Sequence, residues 1–324
     1  MKTALRLISL LEPIRPDMER VEHLLHETLA EADEPLNSML LRLLDGGKRL
    51  RPALVILIGR MLGCSTVPFH SLAAAVEMLH TATLIHDDVV DEAPLRRGRK
   101  TLHTIWPAAA TVLAGDYLLA QAVSLTAQLD HPRIVKVLAE TLCTMSTGEI
   151  RQMFVTKGKH GRRENYYQSI EAKAASLFAG ATEMAGILAG AEEPQIAALR
   201  RFGRELGMAF QMVDDVLDLV GDEAHLGKPA GSDLRQGLIT LPTLYYLETA
   251  NDDTAVNAVL SGQRDEEQVR AAIEAVISSG AIEASLAEAR VHARHSQEAL
   301  AALPDNASRQ MLSSLAGYVL ERRC

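Results

Sequence analysis

The sequence predicts an all-α protein. Aromatic residues make up only 4% of its 324 residues while Ala and Leu abound, a balance that suits closely packed helices better than sheets. Apolar residues recur at three- and four-residue intervals along most of the chain, and the breaks between these stretches carry Gly, Pro or Asn. At 48% hydrophobic residues the chain can bury an extended core, and we expect one helical domain over residues 1–324.

Taken in order, residues 18–44 place Val21, Leu24, Leu25 and Leu29 on one face, the mark of an amphipathic helix, which stops at Asp45-Gly46-Gly47. The next stretch follows Pro52, a residue suited to a first helical turn; its Leu54-Val55-Ile56-Leu57-Ile58 run would pass for a buried strand, but its helical surroundings favour a helix. Residues 73–91 form a helix ending in carboxylates, and another begins near Thr111. Further helices are expected over 131–154, 164–189, 195–220, 240–249, 266–278, 281–303 and 308–322. The breaks at 158–161, 190–194, 221–237 and 304–306 are too short to be flexible linkers.

Composition also excludes functions. A formal charge of −9 argues against nonspecific nucleic-acid or anionic-membrane binding. Cys64, Cys143 and Cys324 fit no zinc or C-x-x-C spacing and read as reduced thiols of a cytoplasmic protein. The opening residues lack a cleavable signal, and no uninterrupted apolar run approaches the roughly 18 residues of a membrane span.

Two carboxylate clusters carry the chemistry. Asp87-Asp88-Val89-Val90-Asp91 and Asp214-Asp215-Val216-Leu217-Asp218 repeat one D-D-x-x-D pattern, which on a helix stacks the first and last Asp on one face. Like charges there repel, so these clusters are either solvated acidic faces or ligands of a hard cation such as Mg²⁺. Identical spacing in two apolar settings favours the metal.

Cations answer both clusters. Gly46-Gly47-Lys48-Arg49-Leu50-Arg51-Pro52 sets three beside two glycines at a helix start, where an anion is favoured, although the spacing is not a P-loop. Arg96-Arg97-Gly98-Arg99-Lys100 follows the first cluster, and Lys228 follows the second. An Mg²⁺-bridged polyphosphate needs this pairing of carboxylates with cationic donors. His80 stands two helical turns before Asp87, while Lys173 and Gln211 are polar groups on apolar helical stretches; each alone would pass for an ordinary helix residue. The basic loop 157–163 reads as a solvated turn.

Together these motifs resemble the trans-isoprenyl diphosphate synthases, or polyprenyl synthetases, over residues 46–247. The likeness rests on Gly46-Gly47-Lys48 through Arg51-Pro52, Glu77 to Asp91 with Arg96-Arg97-Gly98, Gly148-Glu149, Lys173, Phe210-Gln211 to Asp218, and Gly227-Lys228 to Asp233. It implies an isoprenoid-synthase helical bundle around a deep central cavity, normally a homodimer, with the two Asp-rich helices facing each other. The implied reaction is head-to-tail transfer of an allylic prenyl group to isopentenyl diphosphate.

By the same resemblance three Mg²⁺ would be bound by Asp87 and Asp91 on one side and Asp214 on the other, with Asp88, Asp215 and Asp218 as ligands or supports. Arg96, Lys173, Gln211 and Lys228 would bind the allylic diphosphate; Lys48, Arg51, His80 and Arg97 would hold isopentenyl diphosphate. Where the family often has Lys-Thr this chain has Lys173-Ala174, leaving any contact at Ala174 to its backbone. The residue five before the first cluster helps set the cavity floor in the family. An aromatic there marks farnesyl synthases; Ala82 leaves the way open to longer products, with Met153 or Phe154 as deeper caps. The stretch 227–243 looks most like medium- and long-chain quinone-tail synthases. A geranylgeranyl synthase, a class I terpene cyclase and a noncatalytic subunit of a heteromeric synthase remain alternatives.

Overall fold

In a computed structural model, residues 2–44, 47–96, 98–155, 163–221, 230–250 and 252–322 are described. The helices are α1 (Lys2–Leu11), α2 (Arg15–Ala30), α3 (Leu36–Leu44), α4 (Leu50–Met61), α5 (Val67–Val90), α6 (Ala108–Ala127), α7 (Pro132–Val155) and α8 (Arg163–Ile170). A five-residue π-turn (Glu171–Ala175) joins α8 to α9 (Ser176–Leu188), followed by α10 (Glu193–Val220), α11 (Ser232–Gln236), α12 (Leu241–Thr249), α13 (Thr254–Leu260), α14 (Glu266–Ser278), α15 (Ala281–Ala299) and α16 (Ala307–Leu320). The strands among these residues are one short antiparallel pair, Leu95–Arg96 against Arg99–Lys100, which carries Arg96 beside the end of α5.

Burial explains why some helices lack a polar face. Leu54 to Ile58 are all fully buried because α4 packs against α2, α5, α9 and α16, and a helix apolar on every side belongs in a core. The strand-like composition of that run therefore reflects burial on all sides. α9 likewise lies between α5 and α10 and packs on both, which fixes the two Asp-bearing helices relative to one another. A smaller core gathers Val216 and Leu219 of α10 with Leu234, Tyr246, Val256, Val269 and Ile273.

Two expectations need correction. Residues 18–44 form two helices, broken before Pro35, which has no amide hydrogen and disfavours helical geometry at its predecessor. The helices α1, α11 and α13 were not expected. α6 is twenty residues long with mean hydropathy 1.3 over its most apolar window, one third of it buried. It is thus long and apolar enough to cross a membrane by length and composition, Asp116 and flanking polar residues having hidden it from a search for uninterrupted runs.

Candidate active site

α5 delivers the first carboxylate cluster at its C-terminal end. Asp87 and Asp88 lie in the last turn, and the Asp91 N–H closes the helix on the Asp87 carbonyl at 2.8 Å. Acidic side chains at this end oppose the helix dipole, so compensating cations are needed, and two elements supply them. The hairpin brings Arg96, whose Nε donates to Asp88 Oδ1 at 2.7 Å. The π-turn brings Lys173, whose Nζ lies 2.9 Å from Glu149 Oε2 and 3.5 Å from Asp87 Oδ2.

The π-turn reaches this position because two glycines clear its path. A Cβ on Gly148 would sit 2.4 Å from Ala172 Cβ, and one on Gly207 would sit 2.6 Å from Ala175 Cα. Such π insertions concentrate at functional positions.

Electrostatics follow the burial. Desolvation pushes the Asp87 carboxyl above its ordinary pKa against the pull of Lys173, with Glu149 and Asp91 adding to the rise. Asp88 is also raised by burial, in spite of Arg96. Burial works to lower the Lys173 pKa, but Asp87 and Glu149 outweigh it and hold the ammonium charged.

The second cluster sits near the end of α10. Asp215 is 3% exposed, and both its oxygens are held: Tyr166 Oη donates to Oδ2 at 2.7 Å and Gln211 Nε2 to Oδ1 at 2.8 Å. Burial and the nearby charge of Asp233 push its carboxyl up to about 8 even so. Asp218 Oδ2 accepts the Asp233 N–H at 3.0 Å, tying α10 to the start of α11. Asp214 pairs with Arg322 at 2.7 Å.

Between the clusters opens a cavity of about 1480 Å³, with Asp88, Asp91, Arg96, Lys173, Gln211 and Asp215 among its walls. Asp87 joins it through Lys173. Lys48 is exposed at the entry to α4, and Arg51 stacks its guanidinium 4.3 Å over the Phe178 ring. His80 is half-buried on α5; neither it, Lys48 nor Arg51 is a wall of this cavity. Ala82 is 0% exposed and Ala174 is buried, and neither is a wall of this cavity. Met153 is a wall residue, whereas Phe154 is 78% exposed and does not plug a deep tunnel within one chain. Arg97, Lys228 and the glycines Gly46 and Gly227 lie outside the described residues.

Among the described residues no three acidic, His or Cys side chains converge into a ready-made metal cage. The carboxylates that line the cavity, Asp88, Asp91 and Asp215, are hard oxygen donors of the kind Mg²⁺ takes one or two at a time, with phosphate oxygens and water in its other positions.

Sequence reasoning passed over four participants. Glu149 lies in the Gly148-Glu149 motif, which by itself assigns it no role; Tyr166 and Arg322 carry no spacing signal. Arg49, within the basic run, is structural: at φ 48° it caps α4 and its Nη1 donates to the buried Glu77 at 2.8 Å.

Residues 33–276 match the family model described as Polyprenyl synthetase. The chain belongs to that family. It is 38% identical over 307 residues to heptaprenyl diphosphate synthase component 2 of Geobacillus stearothermophilus, covering 94% of this chain and 96% of that one. It is 37% identical to nonaprenyl diphosphate synthase of Mycobacterium tuberculosis, covering 95% and 93%. Among solved structures it resembles a Caulobacter crescentus polyprenyl synthase complexed with calcium and isoprenyl diphosphate, with TM-score 0.91, 37% identity and coverage of 99% and 98%. Polyprenyl synthetases are prenyltransferases, and the fold is the all-α isoprenoid synthase fold.

Proposed function

We propose that this polyprenyl synthetase is an all-trans-polyprenyl diphosphate synthase, condensing isopentenyl diphosphate head-to-tail onto an allylic diphosphate to build a medium or long prenyl chain. The observation that carries the reading is one cavity walled by members of both D-D-x-x-D clusters, Asp88 and Asp91 from the first and Asp215 from the second, together with Lys173 and Arg96. The relatives' names, heptaprenyl and nonaprenyl diphosphate synthase, point to the same product class.

In this reading Asp87 and Asp91 on α5 and Asp214 on α10 hold Mg²⁺, three ions by family resemblance, with Asp88, Asp215 and Asp218 as further ligands or supports. Bound Mg²⁺ neutralises the diphosphate and makes it a better leaving group. The protein's share is placement and charge. Lys173 and Arg96 sit against carboxylates with donors to spare, since an ammonium has three and a guanidinium five, and face the allylic diphosphate as negative charge gathers on it. Gln211 directs one amide N–H at Asp215, and its second N–H is the donor it has for a diphosphate oxygen. Lys228 completes this set. Lys48, Arg51, His80 and Arg97 bind isopentenyl diphosphate, and the departing diphosphate accepts the proton lost after carbon–carbon bond formation. The small Ala82 leaves α5 without an aromatic barrier to elongation.

We also read the chain as one domain and, from the family resemblance, as a homodimer; α6 and α7 pack together and carry exposed Leu113, Val123, Ile150 and Phe154, apolar side chains that an interface on this face would cover. Free Cys64 and Cys143 suit a reducing cytoplasm. The reaction is tested by supplying primer and isopentenyl diphosphate separately and together. Mg²⁺-dependent diphosphate release requiring both supports it; release from the allylic diphosphate alone would make the chain a cyclase.

A further inference from the structure

Phe210, immediately before Gln211 on α10, is loaded with two cations. The Arg322 guanidinium lies 4.2 Å from its ring centroid and that of Arg51 lies 5.9 Å away. Arg322 follows the last helix, is 11% exposed, and spends Nη2 on Asp214 Oδ1 at 2.7 Å. Its Nε and Nη1 are buried with no hydrogen-bond partner among the described residues. A guanidinium with two unmet buried donors is costly, and a second cation on the same aromatic adds repulsion. The Asp214 carboxylate is what offsets both.

That arrangement conflicts with a metal at Asp214, because a cation already sits on the carboxylate and two positive centres do not share it favourably. We propose that Arg322 is an internal competitor for the metal at Asp214. It neutralises the carboxylate while no metal is bound and leaves it, turning on the Phe210 ring, when a divalent ion arrives. Metal binding and release of the guanidinium are then one exchange, and the freed donors remain beside Arg51, where an anion satisfies them. The inference rests on the proposed function, which makes Asp214 a metal ligand.

The exchange predicts that the competitor weakens metal binding in proportion to how fully the pair is closed. Binding of manganese(II) to the full chain, without any diphosphate, is followed through the paramagnetic signal of the free ion. Arg322→Gln is expected to bind about tenfold more tightly than the wild type, within the usual range of coupling between mutually exclusive ligands. Arg322→Lys keeps the charge but loses the fork and the stacking, and is expected to bind several-fold more tightly, an outcome that removal of a background charge would not give. Wild-type or weaker binding by Arg322→Lys overturns the exchange, and this variant decides the matter if Arg322→Gln fails to fold. Asp214→Asn separates the two levels. If it weakens binding while the Arg322 variants change nothing, only the exchange is wrong; if it leaves binding unaltered, Asp214 is not a ligand and the exchange falls with it.

Discussion

Asp87 concentrates the argument at the residue scale: a carboxylate at the unfavourable end of α5, raised by burial, and answered by Lys173 from another element. If Asp87 holds Mg²⁺ as proposed, replacing it with Ala removes that ligand while relieving a charge conflict, so turnover is expected to fall by about a thousandfold with the helical circular dichroism unchanged. Near-normal turnover would remove Asp87 from the metal site. Asp215 gives a second expectation. Its folded carboxyl titrates at about 8 against an ordinary 3.8, so the folded chain holds a proton that the unfolded chain has released. Stability contributed at this position therefore falls as pH rises from about 4 to about 8. Urea unfolding of metal-free protein across this window should show that decline in the wild type and a flatter profile in Asp215→Asn; equal slopes would refute it. The Asp positions were legible because a spacing of four on a helix announces itself. Glu149 and Tyr166 were not, since each meets its partner across a helix interface that no local pattern encodes. The same limit hid the division of labour in the basic run, where Arg49 turns into the core and Lys48 stays outside.

At the scale of elements, the π-turn is the fitting on which the first cluster depends, and it is seated by Gly148 and Gly207. Gly207→Ala places a methyl against backbone at Ala175, so the turn must shift. We expect a loss of roughly 1–3 kcal/mol in unfolding free energy together with a raised KM for the allylic diphosphate, since Lys173 moves with the turn. An unchanged KM would mean that the turn does not position Lys173. On α5, Ala82→Phe inserts a ring at a fully buried position and is expected to shorten the product, read by chromatography; unaltered length would detach Ala82 from the tunnel. Helix existence was legible from periodicity through most of the large core, α1 with its Leu7 being the exception. Boundaries were less so: the break at Pro35 was masked by apolar residues continuing on both sides, and α13, seven residues long, is too short to show two turns of pattern. The π-turn was not legible because its one-residue shift of helical phase falls among Ala172, Ala174 and Ala175, whose small side chains mark neither face clearly.

For the whole molecule, α9 holds α5 and α10 on either side of it, and the cavity opens where those two helices deliver their carboxylates. The exposed apolar side chains of α6 and α7 lead us to expect a dimer in sedimentation at micromolar concentration, weakened by Leu113→Glu; a monomeric wild type would refute that. Elongation beyond short prenyl chains is read by incubating the protein with Mg²⁺, farnesyl diphosphate and labelled isopentenyl diphosphate, then separating the dephosphorylated products by length. Labelled polyprenols longer than geranylgeraniol are expected; label confined to geranylgeraniol, or absent from any prenyl alcohol, would show that this chain is not a medium- or long-chain synthase.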